Sequence, residues 1–353
     1  MAVLKVAIVG CGIGQSHLTA YKALPEHFEV RALCDLDKTK AGTIALENKI
    51  PHVLNDLSEL CGLGDIDVID LCTPPGLHFR QCLEVLAAGK HAICEKPLVG
   101  SLREIDELSA AEKRFGKCLM PIMQNRLGRG FQKLKFLIGE GLAGKTFLST
   151  VETCWIRGAD YFAAPWRGKW ATELGGCLLG HGIHAHDALL HVLGPAKSVF
   201  ARTATRVNPI ETEDCASVSM EMADGSLASL SVTLGSCEEI TRHRYCFENL
   251  VAESNHKPYA SGTDPWKFVG RTPELQKKID AALASFQPQP DGFVGQFKMF
   301  HEALAKGAAL PVNLADARRA LELVTAQYYS VRIKGPVELP LSVSNPFYSG
   351  WTR

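Results

Sequence analysis

The sequence predicts an α/β protein with a parallel, doubly wound sheet in residues 1–125, followed by an α+β domain in residues 126–353 built on an antiparallel sheet. Three observations carry that prediction. Short runs rich in Val, Ile and Leu alternate with helical stretches through the first third of the chain, as they do when helices cover both faces of a parallel sheet. After residue 125 the texture changes to longer segments in which apolar and small polar residues alternate. The chain has 353 residues, 46% of them hydrophobic, enough for two cores at about 150 residues per domain.

In the first part, strands are expected at 4–9, 30–34, 68–72, 92–94 and 119–123, with helices near 15–24, 38–48, 77–88 and 102–115. In the second, Ala216, Val218, Met220 and Met222 alternate with small polar residues, and so do Ala228, Leu230, Val232 and Leu234. Asp224-Gly225 supplies the turn between them, which makes a hairpin with one apolar face. Residues 255–295 carry five prolines and four glycines at intervals and read as loop, with a short helix near 273–284. Leu314, Ala317, Leu321, Val324, Tyr328 and Val331 recur at spacings of three and four, a helix capped by Asn313 and stopped at Gly335-Pro336.

Charge and cysteine usage exclude several functions. Lys plus Arg equals Asp plus Glu, 38 against 38, so no basic surplus drives binding to nucleic acid. No apolar run of about 18 residues is present to cross a membrane. The apolar start, Val6 to Val9, breaks at Gly10 and Gly12 without a basic flank and reads as a strand, not a signal peptide. The twelve cysteines include no C-x-x-C pair, and Cys11, Cys34, Cys72 and Cys94 lie in or beside apolar runs. They read as reduced, packed thiols in a cytoplasmic protein.

Gly10-Cys11-Gly12-Ile13-Gly14 follows the first strand and opens the first helix. Glycines there permit a tight turn and bring backbone amides to a pyrophosphate, which the helix N-terminus favours. Asp35 ends the second strand, 21 residues after Gly14, close to the ~20 expected of the acid that holds an adenosine ribose. The context is that of a Rossmann dinucleotide site, and the carboxylate favours NAD over NADP. A second cluster, Cys72-Thr73-Pro74-Pro75 with His78, sits at the carboxyl end of the 68–72 strand, where open α/β sheets bind ligands. A third, Glu95-Lys96-Pro97, ends the following strand.

Together G-C-G-I-G-Q-S-H, D-L-C-T-P-P-G-L-H, A-G-K-H-A-I-C-E-K-P and G-G-C-L-L-G-H-G-I-H-A-H-D resemble the glucose-fructose oxidoreductase, inositol dehydrogenase and rhizopine-catabolism (Gfo/Idh/MocA) family, essentially over the whole chain. The resemblance implies a Rossmann domain, then a domain on a large open antiparallel sheet whose outer face makes a homodimer or homotetramer. It implies a lysine–proline bond that is often cis. It also implies that Lys96 hydrogen-bonds the reacting oxygen and that His184 takes or returns the hydroxyl proton. Many members carry an aspartate four residues before that histidine; here Gly180 stands in its place, with His181 and Glu173 as candidates to fill the space.

The cofactor-binding set expected is therefore Gly10, Gly12, Ile13, Gly14, Asp35, Cys72, Thr73, Pro74, Pro75, His78, Glu95, Lys96 and Asn125. For substrate, Trp155, Tyr161, Trp166 and Arg167 offer aromatic faces and a guanidinium to a sugar ring, joined by Arg126, His181 and Asp187. On one helix His181 and His184 would lie about 60° apart and His186 about 140° from His181, so the three cannot converge on one metal, and none is expected. The function read from the chain is NAD-dependent oxidation or reduction of a hydroxyl on a sugar, glycoside or cyclitol. The alternatives are a glycoside hydrolase working by transient oxidation and a non-catalytic NAD- or sugar-sensing regulator.

Overall fold

The computed structural model describes residues 2–351 and divides into two compact units. The first runs to Ile122 and takes in Gly292–Ala317; the second comprises Met123–Asp291 and the chain from Arg318 onward. The first unit thus includes a C-terminal segment that a division of the chain at residue 125 leaves out.

Six strands form the first unit's sheet: β1 (Leu4–Val9), β2 (Phe28–Cys34), β3 (His52–Leu54), β4 (Val68–Leu71), β5 (His91–Cys94) and β6 (Leu119–Pro121). Their order is β3-β2-β1-β4-β5-β6, and every pairing is parallel. The order reverses between β1 and β4, which puts the ligand-binding position of such sheets at the carboxyl ends of these two strands and of β5 beside them. The central strands are apolar because helices cover both faces. Those helices, Gly14–Lys22, Lys38–Asn48, Pro75–Ala87 and Leu102–Phe115, lie close to the expected spans. Local chemistry sets their ends: Asp37 accepts from Lys40 N at 3.0 Å, Ser101 from Glu104 N at 3.2 Å, and Gly116 closes the last helix at φ 63°. Strand β3 and the helix Leu57–Cys61 were not anticipated; three residues give too short a run to show a period.

The helix Gly292–Lys306 packs on this sheet's covering layer. Phe297 stacks on Tyr21 with centroids 4.3 Å apart and planes 6° from parallel, and Gln296 donates to the Pro121 carbonyl at 2.7 Å.

The second unit is built on eight strands: β7 (Thr146–Ile156), β8 (Ala196–Ala204), β9 (Cys215–Met222), β10 (Leu227–Thr233), β11 (Gly235–Phe247), β12 (Leu250–Glu253), β13 (Lys267–Gly270) and β14 (Val337–Glu338). Their order is β13-β12-β11-β7-β10-β9-β8-β14. The sheet is antiparallel except for β7 and β10, which run parallel. The β9–β10 hairpin is the one read from the alternation, with Glu221 opposite Leu227 and Gly225 at φ 85° in the turn. Its apolar residues are buried and its serines face outward, beside the exposed Leu148, Ile156 and Leu227. On the inner face the helix Leu314–Ile333 supplies Ser330, whose hydroxyl accepts from Ala201 N at 3.0 Å. Among the described residues, no helix is long and apolar enough to cross a membrane.

If Gly292–Lys306 completes the first core, Phe297→Ala should destabilise that unit by about 3–5 kcal/mol, the usual cost of truncating a buried phenylalanine. Denaturant unfolding followed by circular dichroism measures this; an unchanged midpoint rejects it.

Candidate active site

In the first unit the glycine loop crosses the carboxyl end of β1. Gly10 has φ 97°, and a Cβ there would lie 2.5 Å from the Cys72 carbonyl oxygen, so any side chain would push β1 and β4 apart. A Cβ on Gly14 would lie 2.8 Å from Ile8 Cγ2. Packing inside the protein explains both. It does not explain Gly12, whose Cβ would meet nothing within 4 Å. A bare, exposed backbone at the start of a helix leaves room for a pyrophosphate to approach, and Ile13 beside it is 45% exposed. The residues present therefore fit a dinucleotide.

Asp35 fastens this loop. One carboxylate oxygen accepts from Cys11 N at 2.7 Å and the other from Asp37 N at 2.9 Å. The carboxylate is held at the end of β2 with lone pairs left for a ribose diol.

The neighbouring loops are tied to each other. Thr73 donates its hydroxyl to Gln81, and Cys72 turns its thiol inward. Pro74 and Pro75 lead into the helix Pro75–Ala87, with Pro75 buried. His78 is fully buried between the Pro97 carbonyl at 2.9 Å and the Thr73 carbonyl at 2.8 Å. Burial pulls its pKa below the usual imidazole value, against weaker support from those carbonyls. Glu95 is buried too, and accepts the Lys96 backbone N–H at 2.9 Å. The Lys96–Pro97 bond is cis, as the resemblance implied. Of the expected cofactor residues, Gly12, Ile13, Asp35, Thr73, Pro74 and Lys96 keep exposed surface, whereas Cys72, His78 and Glu95 have their side chains turned into the protein.

In the second unit, His184 lies in the first turn of the helix Ile183–Leu193 and stays partly exposed. His181, just before it, receives or gives a hydrogen bond with the Tyr161 hydroxyl at 3.0 Å. His186 is buried, with its ring nitrogens 2.6 Å from the Gly182 carbonyl and 2.9 Å from Gln327 Oε1, which removes it from any set of ligands. Arg126 and Asp187, expected to bind substrate, instead form a closed, buried, two-pronged ion pair, with Arg126 Nε donating to Asp187 Oδ2 at 2.7 Å. Asn125 sits in the 3-10 turn Gln124–Leu127.

The aromatic cluster is real and larger than expected. Trp155, Tyr161 and the unanticipated Tyr259 surround the Arg157 guanidinium at 5.0, 5.2 and 5.5 Å. Trp155 itself is buried and donates to Thr241, while Tyr259 is 60% exposed. Arg167 lies 3.7 Å over the Tyr161 ring and 4.2 Å over Trp166. Both arginines already hold carboxylates of the chain: Arg157 pairs with Glu239 at 2.8 Å and Arg167 with Glu173 at 3.2 Å. Glu173 Oε1 also lies 3.9 Å from the place a Cβ on Gly180 would occupy.

Glu213 holds the turn that leads to these histidines. Buried, it accepts from Gly176 N at 3.2 Å, Leu178 N at 3.0 Å and the Tyr328 hydroxyl at 2.8 Å. A Cβ on Gly176 would lie 2.1 Å from the Glu213 carbonyl oxygen, so glycine is required there. A carboxylate before an apolar strand gave no sequence signal of this role.

A parallel sheet with this reversal, a glycine loop bare to a pyrophosphate and a carboxylate at the end of β2 define an NAD-binding oxidoreductase. The chain belongs to the Gfo/Idh/MocA oxidoreductase family: residues 4–123 match its NAD-binding Rossmann fold and residues 131–245 its C-terminal domain. It is 28% identical to the uncharacterized oxidoreductase YrbE of Bacillus subtilis over 340 residues, 94% of this chain and 95% of that one. A D-glucoside 3-dehydrogenase of Escherichia coli is 28% identical over 210 residues, 58% of each chain. The WlbA dehydrogenase of Bordetella pertussis, solved with NADH and UDP-GlcNAcA, is similar at a TM-score of 0.84 and 27% identity, over 97% of this chain and 100% of that one.

Two outcomes follow. Replacing Asp35→Ser should weaken NADH binding and raise NADPH binding relative to it at least tenfold, read by fluorescence titration; an unchanged ratio means that Asp35 does not select the cofactor. Burial raises the Glu213 pKa to about 7, against hydrogen bonds that lower it. A carboxyl whose pKa is raised on folding contributes stability below its unfolded value, and this is lost as pH climbs from about 4.5 to 7. Burial pulls His91 and His186 down to about 4 and His243 to about 3, so their contributions to stability also change with pH across part of this window and the readout is a difference. The wild type should lose melting temperature relative to Glu213→Gln across that window; a constant gap rejects the assignment.

Proposed function

We propose that this chain is an NAD-dependent dehydrogenase acting on one secondary or anomeric hydroxyl of an uncharged monosaccharide, glycoside or cyclitol. One observation carries most weight: the bare Gly12 backbone and the Lys96 turn both stand at the carboxyl edge of the first unit's sheet, on β1 and β5, which flank β4. Nicotinamide, when bound, supplies the acceptor for the hydrogen and electron pair of the carbinol carbon. The protein must take the hydroxyl proton and stabilise the oxygen as negative charge grows on it. A Lys96 ammonium suits the second task and a His184 imidazole, able to take up and return a proton, suits the first. In the reverse direction His184 returns the proton.

Charge balance in the second unit supports a neutral substrate. Arg126, Arg157 and Arg167 each hold a carboxylate of the chain itself, so their charges are answered before any ligand arrives. The exposed faces of Tyr161, Trp166 and Tyr259 suit the apolar side of a sugar ring. Glu173 takes the place of the carboxylate that family members carry at position 180, and can accept from a second hydroxyl. The outward face of the second sheet, with Leu148, Ile156 and Leu227, is the surface for self-association.

A panel of neutral sugars, glycosides and cyclitols with NAD, read at 340 nm, is expected to give NADH with at least one member and little with the matching uronates. A preference for uronates, or free sugar released from a glycoside without net NADH, overturns the reading. His184→Ala should lower kcat by roughly 10²–10⁴, the usual contribution of a general base, with NADH affinity within about twofold. Retained turnover rejects His184 as the base.

A further inference from the structure

Beneath the carboxyl edge of the first sheet lies a polar cluster that the proposed reaction does not use. His17 sits one turn into the helix Gly14–Lys22 and is wholly buried. Its Nδ1 is 2.8 Å from Asp70 Oδ2 on β4, and its Nε2 is 3.2 Å from Glu95 Oε1 just past β5. Tyr21, one turn further along, donates its hydroxyl to the same Asp70 oxygen at 2.9 Å, and Cys72 Sγ lies 3.3 Å from Nδ1. Phe293 covers the imidazole with centroids 4.4 Å apart, and Phe297 meets it edge-on at 5.3 Å. The other oxygen of Glu95 accepts the Lys96 amide.

A neutral imidazole has one N–H and one lone pair. Between two carboxylates its lone pair would face an anionic oxygen, and only the imidazolium supplies a proton to each. His78 makes the contrast: it lies between two uncharged carbonyls, where burial prevails and keeps it neutral. For His17 burial is again the largest single influence and opposes the charge, yet Asp70 and Cys72 together outweigh it and the pKa stands well above the ordinary value. For Glu95 burial pushes upward, but His17 and Lys96 bring the carboxyl down to about 2.

We propose that His17 is a positioning residue for Lys96: its imidazolium clamps Glu95, and Glu95 in turn fixes the backbone turn from which the Lys96 ammonium is presented. The clamp also ties the helix that opens at the glycine loop to the end of β5, so the two ligand-facing edges of this unit keep one relative position. The catalytic consequence rests on Lys96 acting as the partner of the reacting oxygen. His17 Nδ1, Asp70 and Cys72 also lie within 4.8 Å of one another, a set that zinc could use. Their spacing is equally that of hydrogen bonds, and burial raises the Cys72 thiol pKa and keeps it protonated, so we assign a proton and not a metal.

Asparagine and glutamine separate the two halves of the clamp. The amide nitrogen of Asn falls near histidine Nδ1 and that of Gln near Nε2, so His17→Asn keeps the donor to Asp70 and His17→Gln the donor to Glu95. With a substrate from the panel, His17→Asn is expected to lower kcat at least tenfold with KM within threefold, while His17→Gln keeps at least a third of kcat and both variants melt alike. In the wild type, nitrogen NMR should show both His17 ring nitrogens protonated from pH 6 to 8.5. Acylation of the Lys96 amine, mapped by mass spectrometry, should change at least threefold in His17→Asn and not in His17→Gln. Full kcat in His17→Asn, losses that track only the unfolded fraction, a deprotonated ring nitrogen at pH 8 or one equivalent of zinc would each overturn the proposal. If the wild type turns over no polyol, the dehydrogenase reading fails alone, and the NMR and acylation results still decide the clamp.

Discussion

The first unit depends on one close approach, that of the Gly10 backbone to the Cys72 carbonyl. Because no side chain stands between them, β1 and β4 end side by side and the loop after β1 lies flat across the sheet edge. The helix that follows therefore starts directly over β4, and its fourth residue lands on Asp70. A methyl group at position 10 would displace this register as well as strain the turn. The exposed amides, the ribose carboxylate's contact with Cys11 and the buried histidine all inherit their places from that missing atom.

Burying Asp70 inside an otherwise apolar strand is unfavourable unless every lone pair finds a donor. One helix serves one oxygen, with His17 and Tyr21 four residues apart on the same face, and the Cys72 thiol reaches the other at 3.7 Å. A similar economy appears in the second unit, where Glu213 takes two backbone amides and the Tyr328 hydroxyl. In both units a buried carboxylate fixes a turn that carries a histidine or lysine at its exposed end. Rigidity at these turns comes from polar contacts shielded from water, which are stronger there than at the surface.

Much of the first sheet was legible because its strands are short apolar runs punctuated by glycine and its helices carry ordinary caps such as Asp37 and Ser101. The β9–β10 hairpin was legible from its alternation and the Asp224-Gly225 turn. What escaped was of two kinds. Strand β3, at three residues, is held by its neighbours and not by its own pattern. The helix Gly292–Lys306 was hidden by distance, since its apolar face matches Tyr21 and Phe28, more than 260 residues earlier in the chain. The glycine loop, Asp35 and the Lys96 turn could be found from local motifs. The ion pairs that occupy Arg126, Arg157 and Arg167 could not, because nothing local marks Asp187, Glu239 or Glu173 as their partners.

The stacking of Phe297 on Tyr21 bears on how the chain matures during synthesis. A nascent chain that has left the ribosome only through β6 already has its six parallel strands, yet the rings of Tyr21 and Phe28 lack their cover until some 170 further residues emerge. At an elongation rate of about 5–20 residues per second, that interval is of the order of 10–30 s. Throughout it an aromatic surface destined for the interior faces solvent or a chaperone, and the first-made unit is sealed only after most of the second has been made.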